Sequence, residues 1–215
     1  MSTAVAACAC DSIGAPKEIR RCDEHHRYWL GDKRLDSVSH VIKTLIASDY
    51  SGVDPAVLET ARVRGAAIDA YFCEYLQSGT VTVNAGERAD VLERLERLIS
   101  WWDESGLKAT AVQQTVYSEA DGIAGTFDLA TEDMIIDLKC VSKLMPNYGL
   151  QLGAYLCMDK QTFPLRDAAI LHVTKEKVRL VKYNAKKCRD QWKVAIAWYS
   201  MLKQLTPSAS SGRGE

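Results

Sequence analysis

Residues Gly125–Tyr155 read GTFDLATEDMIIDLKCVSKLMPNYGLQLGAY. The first half of this stretch holds two short segments rich in apolar residues, about 123–131 and 134–141, on either side of the polar pair Glu132-Asp133. They read as two strands joined by a tight turn. Residues two apart on a strand share a face, so Asp137 and Lys139 point to one side while Leu138 points into the core. Folding the pair about Glu132-Asp133 brings Asp128 toward Asp137. The residues from about Asn147 to Asp159 then read as a helix, on which Gln151 and Tyr155 share one face because they lie four apart. The expected product is two carboxylates and one ammonium converging at a sheet edge, with an amide and a phenol facing them.

Residues 108–118 read as a strand that precedes this pair through an Asp121-Gly122 turn. Two further strands are expected near 168–174 and 177–183. A last helix follows over about 185–205, carrying Trp192, Ile196, Trp198 and Tyr199. Upstream the period is helical. A first helix is expected over about 16–29, with Pro16 near its start, and Gly31-Asp32 reads as a turn. Ser37 is placed to cap a helix bearing Val38, Val41, Ile42 and Leu45. Asp54-Pro55 opens a longer helix that runs to about Gln77 and stops at Ser78-Gly79. Asn84 is expected to cap a helix carrying Val91, Leu92, Leu95, Leu98 and Ile99, ending near Gly106. The fold class is therefore α/β: a mixed, mainly antiparallel sheet flanked by helices, with an N-terminal helical elaboration. Residues 16–205 read as a single domain, helical over about 16–106 and with its core over about 107–205. Residues 1–15 read as a flexible N-terminus and 206–215 as a disordered tail.

Composition narrows the classes. The 215 residues are 47% hydrophobic and 26% charged, as expected of a globular protein, and no apolar run nears membrane-spanning length. A cytoplasmic protein is the default expectation. The seven cysteines are odd in number and sit mostly in apolar segments, which predicts reduced thiols rather than a disulfide framework. Cys8, Cys10, Cys22 and His25 match no common zinc spacing. The net charge of −1 excludes a general polycation, so any nucleic-acid contact must be local. One basic cluster lies between His172 and Lys193, with Lys175, Lys177, Arg179, Lys182, Lys186, Lys187 and Arg189 inside it.

Two converging carboxylates repel unless something positive sits between them, and a hard divalent cation bound by oxygens answers that need. Lys139 beside such an ion suits a phosphate or an attacking water. Together these are the parts for metal-assisted hydrolysis of a phosphodiester.

The ordered set GxxD at Asp128, DxK at Asp137 to Lys139, and QLxxY at Gln151 to Tyr155 resembles the PD-(D/E)XK nuclease superfamily, in its RecB-like, phage-type exonuclease branch, with mitochondrial and CRISPR-associated relatives. Arg34 to Ser39 is similar to the segment before the first helix of those proteins, and Arg64-Gly65 through Asp69 to their Arg-Gly…His motif. The resemblance covers about residues 28–160. It implies a restriction-endonuclease-like core and a Mg²⁺- or Mn²⁺-dependent DNA exonuclease, with a part in phage-type replication, recombination or repair. It further implies a metal held by Asp128, Asp137 and the Leu138 carbonyl with support from Asp69. Lys139 is then the catalytic lysine, and Gln151 and Tyr155 act in catalysis and grip DNA. Arg62, Arg64 and Lys143 are further candidate DNA contacts. Expected partners are DNA, as a single strand or duplex end, and a homo-oligomer or a recombination protein. The chain departs from the pattern in two places: Asp69 replaces the usual His, and Gln113-Gln114 stands where many relatives carry a Glu. With Cys188 alone in the C-terminal part, the iron–sulfur cluster of the CRISPR-associated relatives is not expected. The competing readings are a DNA-binding or assembly protein on a nuclease scaffold with catalysis lost, and a DNA endonuclease.

Overall fold

The computed structural model describes residues 18–22, 27–46, 52–159 and 166–205. The expectations for residues 1–15 and 206–215, and for Cys8, Cys10, Pro16 and His25, lie outside these.

The chain enters as a meander of three strands, β1 (Ile19–Cys22), β2 (Arg27–Leu30) and β3 (Lys33–Ser37). This corrects the helix expected over about 16–29. Burial there follows a two-residue period: Tyr28 and Leu30 are buried, while Arg27 is exposed and Trp29 only partly covered. Gly31 adopts φ 58° and allows a two-residue turn closed by Leu30 against Lys33.

Ser37 caps α1 (Val38–Leu45), its hydroxyl accepting from the His40 N–H at 3.1 Å. Asp54 caps α2 (Pro55–Ser78) by accepting from the Ala56 N–H at 2.8 Å, and Gly79 at φ 75° ends it. The next helix, α3 (Ala89–Ser105), starts later than expected. Asn84 is not its cap. The Asn84 carbonyl instead accepts from the Glu87 N–H in a turn, and Arg88 takes the cap position without a side-chain bond.

Five strands follow or flank the remaining helices: β4 (Ala111–Ser118), β5 (Ile123–Ala130), β6 (Met134–Lys139), β7 (Asp167–Val173) and β8 (Val178–Tyr183), with α4 (Tyr148–Met158) after β6 and α5 (Ala185–Leu205) last. Among the described residues the sheet order is β1-β2-β3-β5-β6-β7-β8, with β4 paired to β5. Only the β3–β5 and β6–β7 pairs are parallel, so the sheet is mixed and mainly antiparallel.

Alternation along the central strands feeds two cores. On one face, Ile135, Ala168 and Ile170 meet α1, α4 and α5 through Val41, Leu152, Tyr155 and Trp192. On the other, Ile136, Leu138, Ala169 and Leu171 meet α2 and α3 through Ile68, Phe72, Leu95 and Leu98. Asp137 and Lys139 therefore face the α4 side. Helix α4 is buried nearly all round and lies against α5 so closely that a Cβ on Gly153 would sit 2.1 Å from the Cys188 carbonyl oxygen. In an exposed helix Gly→Ala stabilises by up to about 1 kcal/mol. Here backbone blocks the methyl, so Gly153→Ala is expected to lower stability by about 3 kcal/mol in urea unfolding. A neutral or stabilising result would contradict this packing.

Candidate active site

The site grows from an irregularity in β5. One edge of β5 pairs with β4, through registers such as Gln114↔Phe127 and Val112↔Leu129. The other edge is shared: β3 pairs at Ile123 and Ala124, and β6 at Leu129 and Ala130. Between these two partners β3 and β6 part, leaving a fork at Gly125 to Asp128. Continuing the β5–β6 register by one step would set Asp128 opposite Asp137. Instead the strands separate there, and the Asp128 carboxylate accepts from the Leu138 N–H at 2.7 Å. The pleat breaks at the same point. Phe127 packs in the core under α1, α4 and α5, whereas Leu129, two residues on, packs with α2 and α3. A regular strand would keep both on one face.

Asp137 is 1% exposed and ion-paired with Lys139, whose side chain is 20% exposed. The Lys139 ammonium also lies 5.3 Å from the centre of the Tyr148 ring at the start of α4. From α2 comes Asp69, which accepts from the Gln113 amide at 3.2 Å and from the Cys73 thiol at 3.8 Å. Gln113 sits in β4 with φ 51°, the one described non-glycine residue with a positive φ. That conformation costs on the order of 1 kcal/mol or more. From α4, the Gln151 amide donates to the Tyr155 hydroxyl at 2.9 Å.

The electrostatics show like charges held together. Burial, then the charges of Asp137 and Asp69, holds the Asp128 carboxyl well above the usual carboxylate range, and Lys139 and the Leu138 N–H only partly offset this. Burial and Asp137 push Asp69 upward too. Burial alone would depress the Lys139 ammonium, but the charges of Asp137 and Asp128 outweigh it and hold the group above its usual value. Burial is also the main reason the Tyr155 phenol is raised and the Cys73 and Cys140 thiols are pushed up to about 12. Neither thiol is therefore a ready nucleophile.

Among the described residues no three His, Cys, Asp or Glu side chains form a ready-made metal cage. A magnesium ion does not need such a cage. Mg²⁺ commonly takes one or two carboxylates and fills its remaining positions with waters and substrate phosphate. The mutual repulsion of Asp128, Asp137 and Asp69 is the feature that a hard cation would relieve, so the donor set fits Mg²⁺ or Mn²⁺.

A cavity of about 640 Å³ opens beside these groups, lined by Asp69, Gln113, Asp128, Gln151 and Tyr155 together with Arg21, Arg27, Arg34, Lys43 and the start of α1. Of these four basic residues the sequence motifs mark only Arg34, and not as a DNA contact. Three lie within the β1–β3 meander, where the first two fell in the segment expected to be helical. Of the expected DNA contacts, Gln151 and Tyr155 line the cavity, but Arg62, Arg64 and Lys143 do not. Arg62 is exposed and bound to Glu59 at 2.6 Å, Arg64 is paired with Asp90 at 3.4 Å, and Lys143 lies exposed beyond β6. No member of the basic cluster from 172 to 193 lines the cavity either. His172 sits in register with Lys139, and its Nε2 is 2.7 Å from the Val141 carbonyl, so it fixes the segment after the lysine.

No family model matches the chain, and no curated protein matches it. Solved structures do. A protein of Eubacterium rectale classed as an exonuclease superposes with a TM-score of 0.55 at 15% identity, over 80% of this chain and 82% of that one. An alkaline exonuclease from Laribacter hongkongensis aligns at a TM-score of 0.45 and 10% identity, over 79% and 87%. A phage-related exonuclease from Haemophilus somnus aligns at 0.38 and 12%, over 80% and 96%. The Eubacterium likeness shows the fold: a mixed, mainly antiparallel open sheet between helices.

If the carboxylates repel as described, removing one charge relieves the fold. Asp128→Asn keeps an acceptor for the Leu138 N–H and should melt higher than wild type in a chelator, by roughly 2–4 °C for about 1 kcal/mol. A lower melting temperature would contradict the repulsion.

Proposed function

We propose that the protein is a Mg²⁺- or Mn²⁺-dependent DNA exonuclease. The observation that carries this reading is the meeting of Asp128, Asp137 and Lys139 at the fork of β5, beside a cavity lined by four basic side chains. The basic lining suits a phosphate backbone, and a chain with a net charge of only −1 needs a local patch of this kind. The fold shared with an exonuclease supports the exonucleolytic reading over an endonucleolytic one.

Asp128, Asp137 and the Leu138 carbonyl are the residues that would hold the cation, with Asp69 supporting them. When bound, the ion lowers the pKa of water and offsets charge gathering on the phosphate. The rest falls to the chain's own groups. Besides being placed to hold the cation, Asp137 keeps Lys139 in position through their ion pair. The Lys139 ammonium offers N–H donors to the attacking water or to a non-bridging phosphate oxygen. Gln151 and Tyr155 orient each other and present donors to the strand. Arg21, Arg27, Arg34 and Lys43 hold the backbone along the cavity. DNA as a single strand or duplex end is the partner this arrangement takes, and end processing in recombination or repair, in the cytoplasm, is the role that fits it.

The test is cleavage of linear single- and double-stranded DNA and of closed circular plasmid, with Mg²⁺, Mn²⁺ or chelator. Wild type is expected to degrade linear DNA from its ends only with metal. Asp137→Ala and Lys139→Ala should each lose about a hundredfold or more. Equal cleavage by all three proteins would overturn the assignment. DNA binding without cleavage would favour the binding or assembly protein, and cutting of closed circles an endonuclease.

A further inference from the structure

The position opposite Asp128 on β4 belongs to Gln113. The rungs on either side, Val112↔Leu129 and Gln114↔Phe127, are intact, and the rung between them is missing. Gln113 is also the residue with φ 51°. A non-glycine side chain stays in the left-handed region only where its surroundings hold it there. Here the surroundings are specific. The amide nitrogen donates to Asp69 at 3.2 Å and to the Cys73 sulfur at 3.4 Å, and the amide oxygen accepts from Arg21 at 3.3 Å. The amide can take only one sense. Turned over, it would set its NH₂ against a guanidinium and its oxygen against a carboxylate.

We propose that Gln113 is a positioning residue for the active site, its strained backbone delivering an amide that fixes the orientation of Asp69. The proposal rests on the metal-dependent reading above. A carboxylate rotates and has two equivalent oxygens, so one that must face Asp128 and Asp137 needs a donor to choose its rotamer. Gln113 supplies that donor without adding charge. A glutamate at 113 would set a fourth carboxylate against Asp69. Arg21, on β1, orients the amide from its far end and so links the N-terminal strand to the site.

The test uses the full chain and three substitutions. Gln113→Asn keeps an amide and tolerates a positive φ, but is one methylene too short to reach. Gln113→Gly frees the backbone and removes the amide. Asp69→Asn is combined with Gln113→Asn in a double-mutant cycle. In chelator both Gln113 variants are expected to unfold at or above the wild-type temperature. In Mn²⁺ they should show a smaller metal-induced rise in melting temperature and lose cleavage by roughly 10–100-fold. In the Asp69→Asn background, Gln113→Asn should cause no further loss. Wild-type cleavage and metal response in Gln113→Asn would overturn the proposal, as would additive losses in the double mutant. So would a loss of cleavage that tracks lowered melting in chelator. If wild type shows no metal-dependent cleavage at all, the reading of the site fails, and the role of Gln113 falls with it.

Discussion

Three carboxylates, Asp69, Asp128 and Asp137, are held near one another in a partly buried fork, and their repulsion is the constraint around which the rest of the structure is arranged. Such a cluster does not assemble by itself. It is imposed by two apolar cores, one on each face of the sheet, whose burial fixes the strands and helices that carry the charges. Lys139 offsets part of the repulsion from within the cluster, and the Leu138 N–H offsets part of it at Asp128. The remainder is unfavourable charge that a hard cation would relieve.

The fork also needs room for helices to reach it. A Cβ on Gly125 would lie 2.8 Å from the Tyr155 ring and 2.8 Å from a Val38 methyl. Only glycine lets α1 and α4 both close on the unpaired edge of β5, so the first residue of the GTFD segment places Tyr155 as directly as its last residue places a carboxylate. The cleft, the phenol and the capped start of α1 are thus consequences of one small residue and one parted pair of strands.

Asp137, Lys139, Gln151 and Tyr155 were legible in the sequence because they rest on regular periods, two for a strand and about four for a helix. Both periods hold in the structure. Asp128 was placed by the turn at Glu132-Asp133, although the break in the pleat that aims it was not visible, since period-two reasoning assumes an unbroken strand. Gln113 was noticed as a departure from a family pattern. Its left-handed backbone has no sequence signature, because Gln is not a residue that normally takes that conformation. The two departures, Asp69 and Gln113, turn out to hydrogen-bond each other. The basic wall has no signature as a unit, because Arg21, Arg27 and Arg34 are spread over three short strands, two of which read as helical. The cluster from 172 to 193 drew notice by density alone, and it lies on β7, β8 and α5 away from the cavity.

On the proposed function, the fork would hold a divalent cation between Asp128, Asp137 and the Leu138 carbonyl. The most direct measurement is anomalous scattering from a crystal soaked in Mn²⁺. The expected result is a peak within ligand distance of those three groups, absent in Asp137→Ala crystals that keep the fold. A peak elsewhere in the molecule, or none at the fork with Asp128 and Asp137 ordered, would contradict it.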